Sequence, residues 1–163
     1  KKNLDCVFIV YGGNEKDIEC YKKYNTISNL FFMGHIPPNL VHNAMSMMDV
    51  LLMPYQKNVS IGLEGVDTAK WMSPMKMFEY LSVGVPIISS NLPVLREILV
   101  NRNNSILVEA DNVDDWSVAL RSIIRDPVLA KNLGNNAFYQ YKSKHTWNNR
   151  AKNIINLLGI SVD

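Results

Sequence analysis

Two ionisable side chains, Lys76 and Glu79, lie three residues apart and therefore share one face of a predicted helix. Ser73 is a favourable N-cap for that helix, and Pro74 suits its first position, where the missing N–H costs nothing. The amides of the helix N-terminus, together with Lys76, could hold a phosphate or diphosphate. The carboxylate of Glu79 could accept hydrogen bonds from a vicinal diol such as a ribose. The combination indicates a nucleotide, but a capped helix with a surface ion pair fits the spacing equally well.

Further candidates follow predicted strands or adjoin the helix start. Gly12-Gly13 permits close approach of the backbone to a ligand, but it forms neither a GxGxxG motif nor a P-loop, and a plain turn is the alternative. The turn at His35 and Ile36 could offer amides to a base edge, or simply connect a strand to a helix. Met75 and Met77 would add amides to the anion site, while their side chains fit a hydrophobic core. The candidate binding residues are Gly12, Gly13, His35, Ile36, Tyr55, Ser73, Pro74, Met75, Lys76, Met77 and Glu79.

The sequence contains no pattern that indicates a metal site or a nucleophilic catalytic residue. The three histidines, His35, His42 and His145, are far apart and form no HExxH or Cys/His pattern, so no metal site is expected. Cys6 and Cys20 have neither metal-ligand spacing nor the density of a disulfide scaffold, and we interpret them as reduced thiols. There is no GxSxG motif for a nucleophilic serine. No catalytic residue can therefore be assigned.

Short apolar runs alternate with helical patterns along the chain, as is typical of strands buried on both faces. We therefore expect an α/β fold: a Rossmann-like, doubly wound parallel sheet of about five strands. Ligands bind such sheets at the carboxyl ends of the strands, where the long polar loop 56–71 also lies. The predicted strands are 6–11, 30–33, 50–53, 87–90 and 105–108. The predicted helices are 16–24, 39–48, one that begins at Ser73, 94–99, 113–124, 127–144 and 147–158.

Size and composition bound the function classes. The chain has 163 residues, 47% of them hydrophobic, which is about one globular domain. Its net charge of +2 is too small to indicate nucleic acid, and no apolar run reaches the roughly 18–20 residues of a membrane span. From Lys131 onward, the chain contains five basic residues and one acidic residue. This basic end could meet an anionic membrane surface, although a solvated helix face is the favoured interpretation.

The segment SPMKMFEYLSVGVPIISSNLPVLREIL resembles the nucleotide-sugar-binding region of GT-B glycosyltransferases of family 4, the glycosyl transferases group 1 domain. Other pieces of the chain match the family in the right order: the strand before Gly12-Gly13, the turn after the second strand, and His145 with the Thr and Trp that follow. The Ser-Pro-x-Lys-x-x-Glu-Tyr core is the specific part of the resemblance. Glu79 matches the second glutamate of the family's Glu-x7-Glu motif, which binds the ribose hydroxyls. The first glutamate is replaced by Trp71.

The resemblance implies transfer of a sugar from a UDP- or GDP-type donor, with retention at the anomeric carbon and without a metal or other cofactor. It also implies that residues 1–163 form a single nucleotide-sugar-binding domain, the C-terminal half of a GT-B fold without its first strand–helix unit. The diphosphate-binding Arg and Lys of that unit and the N-terminal acceptor domain would then be missing. We expect such a fragment to bind nucleotide without turnover. A glycan or lipid-linked acceptor and a cytoplasmic location, at the inner face of a membrane, complete the expectation.

Three alternatives remain open at this stage. A GT-B nucleotide-sugar epimerase would share the diol-binding glutamate, although the Ser-Pro-x-Lys spacing favours a transferase. A receiver-like signalling domain would need an acidic cluster after the first strand, where this chain has Tyr11 and two glycines. A non-catalytic domain with a degenerate donor site is favoured by Trp71.

Overall fold

The computed structural model describes residues 5–24, 26–56 and 74–159. Two compact units make up the chain, Lys1–Ala44 and Met45–Asp163. The predicted N-cap Ser73, the replaced motif position Trp71 and nearly all of the predicted loop 56–71 lie outside the described residues.

The first unit is a two-stranded parallel sheet with a helix packed on it. Strand β1 (Phe8–Tyr11) leads to helix α1 (Glu15–Tyr24) and strand β2 (Leu30–Gly34). Phe8 pairs with Leu30 and the register shifts by one residue at the end of β1. Helix α1 packs on the sheet through the Tyr21 ring, which stacks on Phe32 at 5.4 Å. These elements confirm the sequence-based order, with bounds within two residues of the prediction.

Helix α2 (Pro38–Ser46) contains the boundary between the units, and the second unit holds a three-stranded parallel sheet. The strand order is β3-β4-β5, and all four residues of the central strand β4 are buried because it is covered on both faces. The α/β class with parallel strands is thus confirmed, and the five strands of the described residues pair as sheets of two and three. The elements are β3 (Leu51–Met53), α3 (Met75–Val83), β4 (Ile87–Ser90), a 3₁₀ turn (Leu95–Glu97), β5 (Ile106–Val108), α4 (Val113–Arg125), α5 (Pro127–Gln140), a π-helical turn (Tyr141–His145) and α6 (Trp147–Leu157).

The predicted extent of two helices was wrong. The segment 94–99 forms only a 3₁₀ turn, Leu95–Glu97, because the Asn104 side chain bonds the Ile98 carbonyl and the Val100 amide, two backbone groups that a longer helix would bond internally. The Asn104 side chain accepts a hydrogen bond from the Val100 amide at 2.7 Å. The predicted helix 127–144 ends at Gln140 and continues as the π turn.

The core of the second unit fixes α3 against the sheet. Met77 and Leu81, four residues apart on one face of α3, are 2% and 0% exposed and pack with the buried residues of β3 and β4. The other fully buried members of this cluster are Met53, Ile87, Leu95, Leu99 and Ala137. The inner face of α3 is therefore structural.

A close backbone contact fixes the other end of α3. The helix ends at Gly84, which has the left-handed φ of 71° that glycine adopts without strain. Gly134 of α5 lies directly against it: a Cβ on Gly134 would come within 2.1 Å of the Gly84 carbonyl oxygen. Only glycine at position 134 permits this approach of α5 to α3.

Candidate functional site

Helix α3 begins one residue later than predicted. Pro74 has φ −71° and ψ 118°, which is extended backbone, so it is the N-cap and Met75 is the first helical residue. The prediction that Pro74 occupies the first helical position is therefore wrong. The Pro74 carbonyl accepts a hydrogen bond from the Met77 amide at 3.0 Å. Among the described residues, no side chain caps this end of the helix.

The outer face of α3 carries the predicted ionisable pair. Lys76 and Glu79 are both exposed, and Met75 is 66% exposed, which corrects its interpretation as a core side chain. Met77 packs in the core as predicted, and its amide is already bonded to Pro74. Two features of the N-terminal turn can therefore serve a ligand: the amides ahead of Met77 and the charged outer face.

Lys76 contacts Tyr55 at the carboxyl end of β3. Its Nζ lies 6.0 Å from the centre of the Tyr55 ring, within the range of a cation–π contact. Across the described residues, Lys76 makes this contact and no ion pair with Glu79, so the surface-pair alternative is not the one observed. The Tyr55 carbonyl accepts from the Ser90 hydroxyl at 2.6 Å, which ties the ends of β3 and β4 together. Two predicted site residues thus meet at the expected edge of the sheet.

Tyr80 holds the turn that carries Glu79. Its hydroxyl donates to the Leu52 carbonyl of β3 at 3.3 Å. Burial raises the pKa of Tyr80, and the neighbouring Tyr55 and Glu79 raise it further, so the phenol stays protonated and able to donate. Burial also raises the pKa of Tyr55. Tyr80 is not among the site residues predicted from the sequence, although it adjoins Glu79 in the Glu-Tyr pair.

Glu79 also borders an open cleft between α3, the π turn and α6, with a volume of about 1190 Å³. Lys144, Arg150 and Lys152 line the same cleft, so its charge is net positive. The guanidinium of Arg150 lies 5.9 Å from the centre of the Trp147 ring, which is itself 74% exposed. A cleft with one carboxylate, several cations and an aromatic ring suits an anionic ligand that also carries hydroxyl groups.

His145 lies between α3 and the end of α5. Its ring is 5.4 Å from that of Phe78, tilted by 55°, and its Nε2 is 3.5 Å from Gln140 Nε2. Burial, and then the charge of Lys144, lower the pKa of His145. In the sequence, this histidine stands out only as a possible metal ligand and as a piece of the family resemblance. Nothing local to position 145 marks its contact with Phe78.

The remaining candidates lie in the first unit. Gly12 and Gly13 have φ of 108° and 84°, and the Gly12 amide donates to the Gly34 carbonyl at 2.7 Å. The turn after β1 and the turn that leads into His35 and Ile36 are therefore adjacent, as parallel strands require. In the described ranges, no group of three or more His, Cys, Asp or Glu side chains is arranged to hold a metal ion.

A family model described as "Glycosyl transferases group 1" matches residues 1–140. No curated protein matches the sequence closely enough to serve as a relative. Among solved structures, sucrose-phosphate synthase from Thermosynechococcus elongatus is similar, with a TM-score of 0.72 and 18% identity over 92% of this chain and 37% of its own.

Two further solved structures share the fold. HepE of Anabaena in complex with UDP-glucose has a TM-score of 0.72 and 14% identity over 97% of this chain and 43% of its own. WaaG, a glycosyltransferase involved in lipopolysaccharide biosynthesis, has a TM-score of 0.65 and 16% identity over 94% of this chain and 38% of its own. The chain spans about two fifths of the length of these structures.

Proposed function

The chain belongs to the glycosyl transferases group 1 family, and we propose that it is the donor-binding part of a retaining glycosyltransferase that uses a nucleoside-diphosphate sugar. The observation that carries the proposal is the position of Glu79. It is exposed one turn into α3, the helix whose Lys76 contacts Tyr55 after β3, and it borders a cleft whose other charged side chains are cationic. A nucleotide has the matching pattern of a ribose diol next to a diphosphate.

Two residues of the outer face of α3 and two tyrosines have distinct roles in this proposal. The Glu79 carboxylate accepts hydrogen bonds from the two ribose hydroxyls. Lys76 and the first amides of α3 face the diphosphate, since the positive end of a helix dipole favours negative charge. Tyr55 keeps Lys76 at the edge of the sheet through its ring contact. Tyr80 fixes the helix turn that presents Glu79.

Sugar transfer requires the nucleoside diphosphate to leave with its negative charge stabilised. Amides and cations placed where that charge develops contribute most of this stabilisation. We assign the acceptor and the rest of the diphosphate contacts to the part of the enzyme outside this chain. The 163-residue chain alone should then bind nucleotide weakly and catalyse nothing, and steady release of UDP from UDP-glucose by this chain would contradict the assignment.

The acceptor and location remain part of the proposal. No helix of the described residues has the length and apolarity needed to cross a membrane. We propose a glycan or lipid-linked acceptor and a cytoplasmic site of action at the inner face of a membrane. Cosedimentation with vesicles containing an anionic phospholipid tests the membrane contact, and equal cosedimentation with neutral vesicles would argue against an electrostatic contact by the basic C-terminal residues.

The central test is a calorimetric titration with UDP and with GDP. It uses the full-length protein, meaning this chain together with the part of the enzyme that we place outside it. Glu79→Ala should weaken binding of the preferred nucleotide at least about tenfold, because charge-assisted hydrogen bonds to the ribose are lost. Glu19→Ala, at an exposed position of α1, is the matched control and should leave the affinity unchanged. Unchanged affinity in Glu79→Ala would refute the ribose assignment. Absence of binding by the wild-type protein would instead support a degenerate donor site.

The same titration tests the proposal that no metal is needed. UDP affinity should be equal in EDTA and in MgCl₂. A large gain with Mg²⁺ would refute a metal-free site.

A further inference from the structure

His145 belongs to a continuous set of contacts that ends beside Glu79. Its ring packs on Phe78 with a centroid separation of 5.4 Å, and Phe78 immediately precedes Glu79 on α3. Phe78, Glu79 and His145 all line the cleft. The ring thus joins the π turn to the helix turn that presents Glu79.

A partly buried hydrogen-bond network holds the other side of His145. Gln140 Nε2 lies 3.5 Å from His145 Nε2 and donates to the Ile98 carbonyl at 3.0 Å. Asn104, which is 2% exposed, donates to the same carbonyl at 3.0 Å and to the Gln140 side-chain oxygen. Gln140 therefore cannot rotate away without breaking its hydrogen bonds to Ile98 and Asn104, and a network whose members are all bonded resists such a change.

The π turn decides that this ring faces α3. One additional residue per turn rotates the side chains that follow by about 100° relative to an α-helix. The turn spans Tyr141–His145, and the chain then starts α6, where the Thr146 hydroxyl accepts from the Asn149 amide at 3.2 Å. His145 is therefore fixed between a helix end and a helix start.

We infer that His145 is a positioning residue for nucleotide binding: held by Gln140, its ring packs against Phe78 and fixes the turn of α3 that presents Glu79 to the ribose. This inference rests on the function proposed above. The ring acts through packing, so a neutral aromatic replacement should preserve its effect. The His145 ring is not proposed to touch the reacting atoms, and its removal should weaken only the contact between Glu79 and the ribose.

The test uses the full-length protein and two ligands, UDP and 2′-deoxy-UDP, because the ratio of their affinities reports the ribose contact alone. Wild type should prefer UDP by about tenfold, the value of one charge-assisted hydrogen bond. His145→Ala and the less disruptive His145→Asn should reduce that preference to about threefold or less. His145→Phe should restore it, and the exposed His42→Ala should leave it unchanged.

The outcomes separate the two proposals. If Glu79→Ala removes the preference but His145→Ala and His145→Asn keep the wild-type ratio, the inference about His145 is overturned while the ribose assignment stands. Equal weakening of both ligands in the His145 variants is the signature of a general structural loss and also overturns it. If wild type shows no preference, or Glu79→Ala retains it, the proposed role of Glu79 fails and the inference fails with it.

Discussion

The two faces of α3 differ in what they contribute to the protein. The inner face, with Met77 and Leu81, is buried in the core, while the outer face, with Met75, Lys76 and Glu79, is exposed. Stability is therefore concentrated on one side of the helix and the proposed ligand contacts on the other. Helix α3 can present charged groups at the sheet edge because its apolar side is anchored independently of them.

The largest expected effect comes from a matched pair of methionines on the two faces. Met77→Ala should lower the free energy of unfolding by about 2–5 kcal/mol, because a buried side chain is replaced by a cavity. Met75→Ala should change it by less than about 0.5 kcal/mol, since Met75 is 66% exposed. Urea unfolding followed by circular dichroism measures both. Equal losses in the two variants would show that the faces are not energetically distinct.

The contact at the end of α3 gives the next effect. Gly134→Ala should destabilise the protein by about 1–3 kcal/mol or more, because its Cβ would lie 2.1 Å from the Gly84 carbonyl oxygen. The neighbouring exposed Asn135→Ala is the control and should be nearly neutral. Thermal unfolding compares the two variants. A Gly134→Ala protein as stable as wild type would mean that α5 can move away from α3 without cost.

Substitutions on the outer face should have the opposite effect. They should weaken nucleotide binding and leave the stability of the fold unchanged. Lys76→Ala should weaken UDP binding about two- to fivefold, the range of an exposed charge contact, and the effect should shrink in high salt. Its melting temperature should match wild type. Calorimetry at low and high salt measures this, with the exposed Lys131→Ala of α5 as control. A loss of stability without a loss of affinity would show that Lys76 stabilises the fold and does not bind the nucleotide.

The smallest effect concerns the pH dependence of stability near the cleft. Burial and the charge of Lys144 lower the pKa of His145, so the unfolded chain binds the proton more readily than the folded one. The stabilising contribution of the neutral ring is complete above the unfolded pKa of about 6.5. It is lost as the pH falls through the lowered folded value.

Urea unfolding between pH 7.5 and pH 5 measures this loss. The quantity compared between wild type and His145→Phe is the slope of the free energy of unfolding against pH. Wild type should lose slightly more stability than His145→Phe as the pH falls. A steeper fall in His145→Phe would contradict the sign.

Local patterns predicted the elements well where neighbours along the chain decide them. The strand Ile87–Ser90 was predicted with its observed bounds, and the placement of Lys76 and Glu79 on one face of α3 followed from helix periodicity. Prediction failed where a local preference competes with longer-range packing. The segment 94–99 has helical spacing, but the Asn104 side chain bonds the Ile98 carbonyl and the Val100 amide, and the segment forms only a 3₁₀ turn. Met75 and Met77 are identical in type and close in sequence, so hydrophobicity alone could not separate them.

The sequence by itself determined the α/β alternation, the helix that follows Pro74 and the charged pair on its outer face, because capping, periodicity and side-chain chemistry act over a few residues. Only the tertiary structure decided that Lys76 lies over Tyr55, that Gly134 meets Gly84, and that His145 packs on Phe78. Each of these contacts joins residues about 20 to 70 positions apart. Such contacts depend on how whole helices pack on the sheet, which no short segment specifies.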